Sequence, residues 1–160
     1  MIIYFLEMKK REQLKFKPCT DKDFIIKECI IKNYKFNKFL YKYIGEKWKW
    51  NDKNSWSDAK WKSYAEANNL RTFVAYKFGI PAGYYELKSV NSNVEIAYIG
   101  LEEKFIGKGY GGYLLSKAIQ DSWQWEASRV WVNTCDFDHP VALDNYKKRG
   151  MKIYKIEKNE

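Results

Sequence analysis

The segment Phe105-Ile106-Gly107-Lys108-Gly109-Tyr110-Gly111-Gly112 constrains this chain more than any other. It follows the apolar run Val94 to Leu101 and precedes a stretch whose apolar residues recur at helical spacing, Tyr113, Leu114, Leu115, Ala118, Ile119, Ser122 and Trp123. Glycines between a buried strand and a helix let the backbone take positive φ and let a ligand approach it closely. The unpaired N–H groups of the loop and helix start converge on one spot, where the helix dipole adds about half a positive charge. That arrangement suits a pyrophosphate. A Walker A loop is excluded, because no Gly-Lys-Ser/Thr closes the segment. A dinucleotide site fits poorly, since its glycines belong on the first strand of a βαβ unit.

Around this segment the pattern predicts a strand at Ile2 to Met8 and a helix from Asp21 to Asn33, opened by Thr20 and Asp23 as a capping box. It predicts a second helix through Phe36, Leu40 and Ile44 ending at Gly45, and a loop from Trp48 to Trp56. Ser57 is an expected N-cap for a short helix to about Asn68. Arg71 to Phe78 and Tyr84 to Lys88 form a hairpin around the turn Gly79 to Gly83, and a second turn lies at Asn91 to Asn93. After the glycine helix come a short strand at Arg129 to Thr134, a helix from His139 to Arg149 and a last strand from Met151 to Lys158. In that helix Pro140 stands in the first turn and Gly150 just past the end. No repeat or linker interrupts residues 1–160, which read as one domain, and the order of elements implies a mixed sheet, antiparallel first and parallel later.

Strand, glycine loop, helix, short strand and then Asp138-His139-Pro140-Val141-Ala142-Leu143-Asp144-Asn145-Tyr146-Lys147-Lys148-Arg149-Gly150-Met151 together resemble the GNAT superfamily of acetyl-CoA-dependent N-acetyltransferases. The family's acyl-CoA motif, Arg/Gln-x-x-Gly-x-Gly/Ala, is matched with Gly109 and Gly111 on its glycine places. Its second motif, Asn-x-x-Ala-x-x-x-Tyr-x-x-x-Gly-Phe, is matched by Ala142, Tyr146 and Gly150. The chain departs from the pattern at Ile106, where the family has Arg or Gln, at His139, where it has Asn, and at Met151 in place of Phe. It also has one strand after the last helix where the family has two, so the sheet is expected either to stop early or to have its edge supplied or covered by a second copy in a homodimer.

The resemblance implies a GNAT-like α/β (α+β) fold: a mixed central sheet with antiparallel N-terminal strands, a splayed parallel pair and helices on both faces. It implies acetyl-CoA as acyl donor, held by Ile99, Gly100 and Leu101 at the strand end, by Ile106, Gly107, Lys108, Gly109, Tyr110, Gly111 and Gly112 in the loop, and by His139. Tyr146 falls where the family places a proton donor to the leaving thiolate, and a phenol of pKa about 10 suits that role. Glu95, on the strand leading into the cradle, is the expected base, at a spacing similar to that of the histone-acetylating branch, with Glu86 in reserve. Tyr43, Trp48, Trp50 and Trp56 fall where the family builds its acceptor pocket, and rings there give a rigid wall able to face an organic cation. The implied activity is transfer of an acetyl group to a primary amine; the alternative is a module of the same fold that binds acyl-CoA or a metabolite without turnover.

Charge and cysteine content bound the partners. A net charge of +9 would suit nucleic acid, but the lysines are scattered along the chain and no nucleic-acid motif is present. No apolar run approaches the ~18 residues of a membrane span. Cys19, Cys29 and Cys135 are odd in number and widely spaced, as reduced thiols of the cytoplasm are. With a single histidine and no C-x-x-C, a metal site is not expected.

Overall fold

A computed structural model describes residues 1–159. Its centre is a seven-stranded sheet in the order β2-β3-β4-β5-β6-β1-β7. Strand β1 is Ile2–Met8, β2 Phe24–Glu28, β3 Leu70–Lys77, β4 Ile80–Val90, β5 Asn93–Leu101, β6 Arg129–Cys135 and β7 Lys152–Lys158. Helix α1 is Tyr34–Gly45, α2 Asp58–Ala65, α3 Tyr110–Gln124 and α4 Ala142–Lys148. Neighbouring strands pair antiparallel except β5 and β6, which run parallel with α3 as their crossover.

Alternation along the strands separates two cores. Val94 and Ile96 of β5 pack with Leu114, Leu115, Ala118 and Ile119 of α3, and Tyr146 of α4 joins them. Tyr98, also on β5, packs on the opposite side with Leu40 and Ile44 of α1 and with Val74 and Tyr84 of β3 and β4. The side-chain period shifts between Ile96 and Tyr98 because Glu86 pairs with Tyr98 while Leu87 pairs with Ile96, leaving Ala97 as a bulge. Helices therefore cover both faces.

Several local expectations are corrected. The segment read as a helix from Asp21 to Asn33 contains strand β2, pairing with β3 from Phe24↔Lys77 to Glu28↔Phe73. Its β-branched isoleucines favour a pleated surface, and Phe24 and Ile26 face the core while Ile25 is exposed. The first hairpin turn is tighter than Gly79 to Gly83: Phe78 and Gly79 alone carry positive φ, 50° and 87°, as a two-residue hairpin turn requires. Helix α4 begins at Ala142 rather than His139, because Asp138 Oδ2 accepts from the Thr134 hydroxyl and the Cys135 N–H, tying that stretch to the end of β6.

The sheet does not stop early. Strand β1 lies between β6 and β7, antiparallel to both, with Leu6 and Met8 fully buried. The chain then returns to the opposite edge through residues 9–23, where the Lys15 N–H donates to Arg149 O and the Lys17 N–H to Ser116 Oγ. The true edge, β7, carries Lys152, Lys155 and Lys158, the charged residues that blunt exposed edges.

Candidate active site

Strands β5 and β6 hold a parallel register only from Asn93↔Arg129 through Glu95↔Trp131. Beyond that rung they part, although β5 continues to Leu101 and β6 to Cys135. The opening is a cleft of about 1280 Å³. Ile99, Gly100 and Leu101 line one wall, Val132 and Asn133 the other, and the glycine loop closes one end.

In that loop Gly107 and Gly109 have φ of +80° and +86°. A Cβ at either would meet nothing within 4 Å, so backbone conformation, not lack of space, requires glycine there. Gly109 is the N-cap of α3, leaving the first-turn N–H groups for a ligand. Gly112 is different: a Cβ there would run into the side chains of Lys17 and Arg149. Both cations also line the cleft, and the buried Arg149 Nε has no hydrogen-bond partner among the described residues. Orphan amides, a helix N-terminus and an unpartnered guanidinium nitrogen fit the phosphates of an acyl-CoA.

Ile106, Gly111 and His139 also line the cleft, whereas Lys108 and the Tyr110 ring do not. Tyr110 turns away, stacking on Phe24 at 4.2 Å and donating its hydroxyl to Asp21 Oδ2 at 2.5 Å, so only its main chain belongs to the loop. Gly100 is required by packing: a Cβ there would lie 2.8 Å from Ile44 Cγ2 and 3.4 Å from the Trp50 indole. His139 Nδ1 accepts from the Val141 N–H at 3.1 Å, and its ring meets Trp48 edge-on at 5.1 Å.

Glu95 stands at the last paired rung, on the wall of the cleft. Desolvation raises its pKa, and the charges of Lys88 and Lys53 pull it part of the way back. Tyr146 projects from α4 into the same cleft. It is 7% exposed, and its pKa is raised by burial and then by the Asp138 charge. The Asn145 amide donates to Gly111 O at 3.2 Å, tying the helix that carries Tyr146 to the loop.

Of the residues expected to meet an acceptor, Trp48, Trp50 and Trp56 line the cleft, but Tyr43 and Glu86 do not. The Tyr43 hydroxyl donates to Pro81 O at 3.0 Å and its ring stacks on Phe39. Glu86 is 1% exposed behind Tyr64. Its oxygens accept from Tyr64 Oη at 2.6 Å and from Asn37 Nδ2 at 2.9 Å. Burial raises its pKa, with these two hydrogen bonds opposing the shift. A carboxylate so enclosed supports the pocket wall and does not face the cleft.

Sequence reasoning missed Lys17, Asp52, Lys53, Tyr64, Tyr98 and Arg149, all on the cleft. Only Tyr98 carried a local signal, as an aromatic on the strand of Glu95; the rest arrive from separate segments. Among the described residues, no group of three or more His, Cys, Asp or Glu is placed to hold a metal ion, and no helix is long and apolar enough to cross a membrane.

The sequence matches the acetyltransferase (GNAT) family over residues 36–151. No curated protein matches it. Among solved structures, a GCN5-related N-acetyltransferase from Sphaerobacter thermophilus is similar in fold, with 12% identity, TM-score 0.74, and coverage of 97% of this chain and 49% of the other. This chain therefore spans about half the length of that protein. An aminoglycoside acetyltransferase from an uncultured soil metagenomic sample, in complex with trehalose, aligns at 16% identity and TM-score 0.67 over 81% of this chain and 88% of its own. An IAA acetyltransferase from Bacillus cereus aligns at 23% identity and TM-score 0.60 over 82% and 79%.

Proposed function

Since this chain belongs to the acetyltransferase (GNAT) family, we propose that it transfers an acetyl group from acetyl-CoA to a primary amine. The observation that carries the reading is the parting of β5 and β6 beyond Glu95 into a cleft that the glycine loop and the start of α3 also line.

The N–H groups of residues 107–112, with Lys17 and Arg149 beside them, hold the phosphates. The unpaired edge of β5 from Ala97 to Leu101 orients the pantetheine arm along the wall. Bound acetyl-CoA supplies a thioester as electrophile. Glu95 accepts the proton of the acceptor's ammonium, its raised pKa bringing it closer to the pH at which a base is most useful. Tyr146 Oη, still protonated at neutral pH, donates a proton to the departing sulfur. The aromatic wall of Trp48, Trp50 and Trp56 excludes water and receives the acceptor. Cys19, Cys29 and Cys135 are free thiols, consistent with a cytoplasmic setting.

Thermal melting with acetyl-CoA, CoA and ATP tests the donor site. Ligand at about a hundred times Kd adds ~2.7 kcal/mol, or about 2–4 °C per kcal/mol for a domain of this size. A shift with acetyl-CoA and none with ATP supports the reading, and no shift with acetyl-CoA overturns it. Thiol release over a panel of amines then separates the enzyme from a binding module, which would show the shift and no release.

A further inference from the structure

The acceptor end of the cleft contains a cation site that the chain fills with its own lysine. Lys53 is only 8% exposed. Its ammonium lies 4.5 Å from the ring centre of Trp56, 4.9 Å from that of Tyr64 and 4.5 Å from that of Tyr98. It donates to Tyr98 Oη at 2.9 Å and to Asp52 Oδ2 at 3.2 Å. Two ring faces, the Tyr98 hydroxyl and a carboxylate around one ammonium form an aromatic cage, in which ring quadrupoles and these oxygens replace part of the lost hydration.

The walls have partners besides the Lys53 side chain, and the Lys53 main chain helps hold them: its N–H donates to Tyr41 Oη and its carbonyl accepts from the Trp56 N–H. Tyr64 donates to the buried Glu86, Tyr98 donates to Asp52 at 2.5 Å, and Tyr41 donates to the other Asp52 oxygen at 2.8 Å. Trp56 rests edge-on against Trp61 at 5.4 Å, with the Lys60 ammonium 4.6 Å from its ring centre. The Lys53 charge acts on Asp52, Glu86 and Glu95 together, and Lys88 is the other cation acting on Glu95. The only part of the cage that can leave without dismantling it is the flexible Lys53 side chain, carried on the irregular connection between α1 and α2.

We propose that the cage of Trp56, Tyr64, Tyr98 and Asp52 is a subsite for a second alkylammonium group of the acceptor, and that Lys53 is its resident stand-in, displaced on binding. The acceptor class is then a diamine or longer polyamine, one nitrogen reacting near Glu95 and another held in the cage. That the ligand is an acceptor rests on the acetyl-transfer reading; that the cage takes an alkylammonium does not. A tethered lysine competes as an internal ligand at high effective concentration, so its removal strengthens binding of a free ammonium.

Calorimetric titration of the full chain without acetyl-CoA tests this. The probes are n-butylammonium, 1,4-diaminobutane and, as neutral control, n-butanol. Lys53→Ala is expected to bind n-butylammonium at least about tenfold more tightly than the parent, the parent to bind the diamine saturably, and neither to bind butanol. Trp56→Leu removes one wall and leaves Lys53 in place; it is expected to lose diamine binding whether or not Lys53→Ala folds. A parent that binds no diamine overturns the proposal, making Lys53 a permanent part of the wall. Equal binding of butanol and butylammonium overturns it as well. The acetyl-CoA melting shift, measured on the same samples, separates failures. A shift without amine binding sinks the cage proposal alone, and amine binding without a shift sinks the acetyl-transfer reading alone.

Discussion

Glu95 pairs with Trp131 on the last rung at which β5 and β6 remain neighbours. One residue therefore stands both at the end of a hydrogen-bonded ladder and at the vertex of the cleft. Its carboxylate is held by a main chain that is locked on one side and open on the other, as a proton acceptor facing a bound amine requires.

Glu95→Gln is expected to lower kcat by about 10²- to 10⁴-fold, the usual range for a general base. In the parent, kcat/KM should rise with pH through an apparent pKa above the ordinary carboxylate value, because burial raises it. Stability carries the opposite sign. A carboxyl whose folded pKa is raised binds protons more tightly in the folded state, so its ionisation destabilises the fold above that pKa. The variant should thus melt no lower than the parent at neutral pH, and any advantage should vanish below the unfolded carboxylate pKa. A variant advantage that grows on acidification would contradict the assignment.

Tyr146→Phe is expected to reduce turnover by about 10²-fold or more while leaving the melting midpoint and the acetyl-CoA shift unchanged. Its hydroxyl makes no hydrogen bond to a described residue, whereas its ring belongs to the core. A large loss of stability with normal turnover would make Tyr146 a packing residue only.

Gly109→Ala separates conformation from space. Nothing crowds a Cβ there, but φ of +86° costs an L-residue about 1–2 kcal/mol. A fall in midpoint of about 2–4 °C per kcal/mol is expected, together with a weaker acetyl-CoA shift as the loop relaxes away from positive φ.

Leu6→Ala and Ile25→Ala test the strand order. Leu6 is fully buried on β1, inside the sheet, and its truncation should cost about 2–5 kcal/mol. Ile25 is 48% exposed on the edge strand β2, and its truncation should stay within about 0.5 kcal/mol. Similar losses at both sites, read by chemical denaturation, would reject the placement of β1.

The part of the molecule from Arg71 onward was legible because its signals are local. Gly107 to Gly112 spell a turn and a helix start within one segment, and Ala142, Tyr146 and Gly150 share one short helix and its end. Fixed spacing along one element fixes geometry, so Glu95, Tyr146 and the glycine loop meet on the same cleft. Before Arg71 the signals were weaker. The isoleucines after Phe24 fit helix and strand periods alike over so short a run, and pairing with β3 decided the outcome.

The sequence by itself determined that the chain builds a glycine-rich helix start after a central strand, and that two family motifs follow in order. Those features depend on φ preference and residue spacing over a few positions. Only the tertiary structure decided that β1 crosses to lie between β6 and β7, because alternation names a strand and never its neighbour. It alone withdrew Tyr43 and Glu86 from the cleft, since burial depends on what packs on top. And it alone gathered Lys53, Trp56, Tyr64 and Tyr98 into one cage: contacts among a loop, a helix and a strand leave no period in the sequence to read.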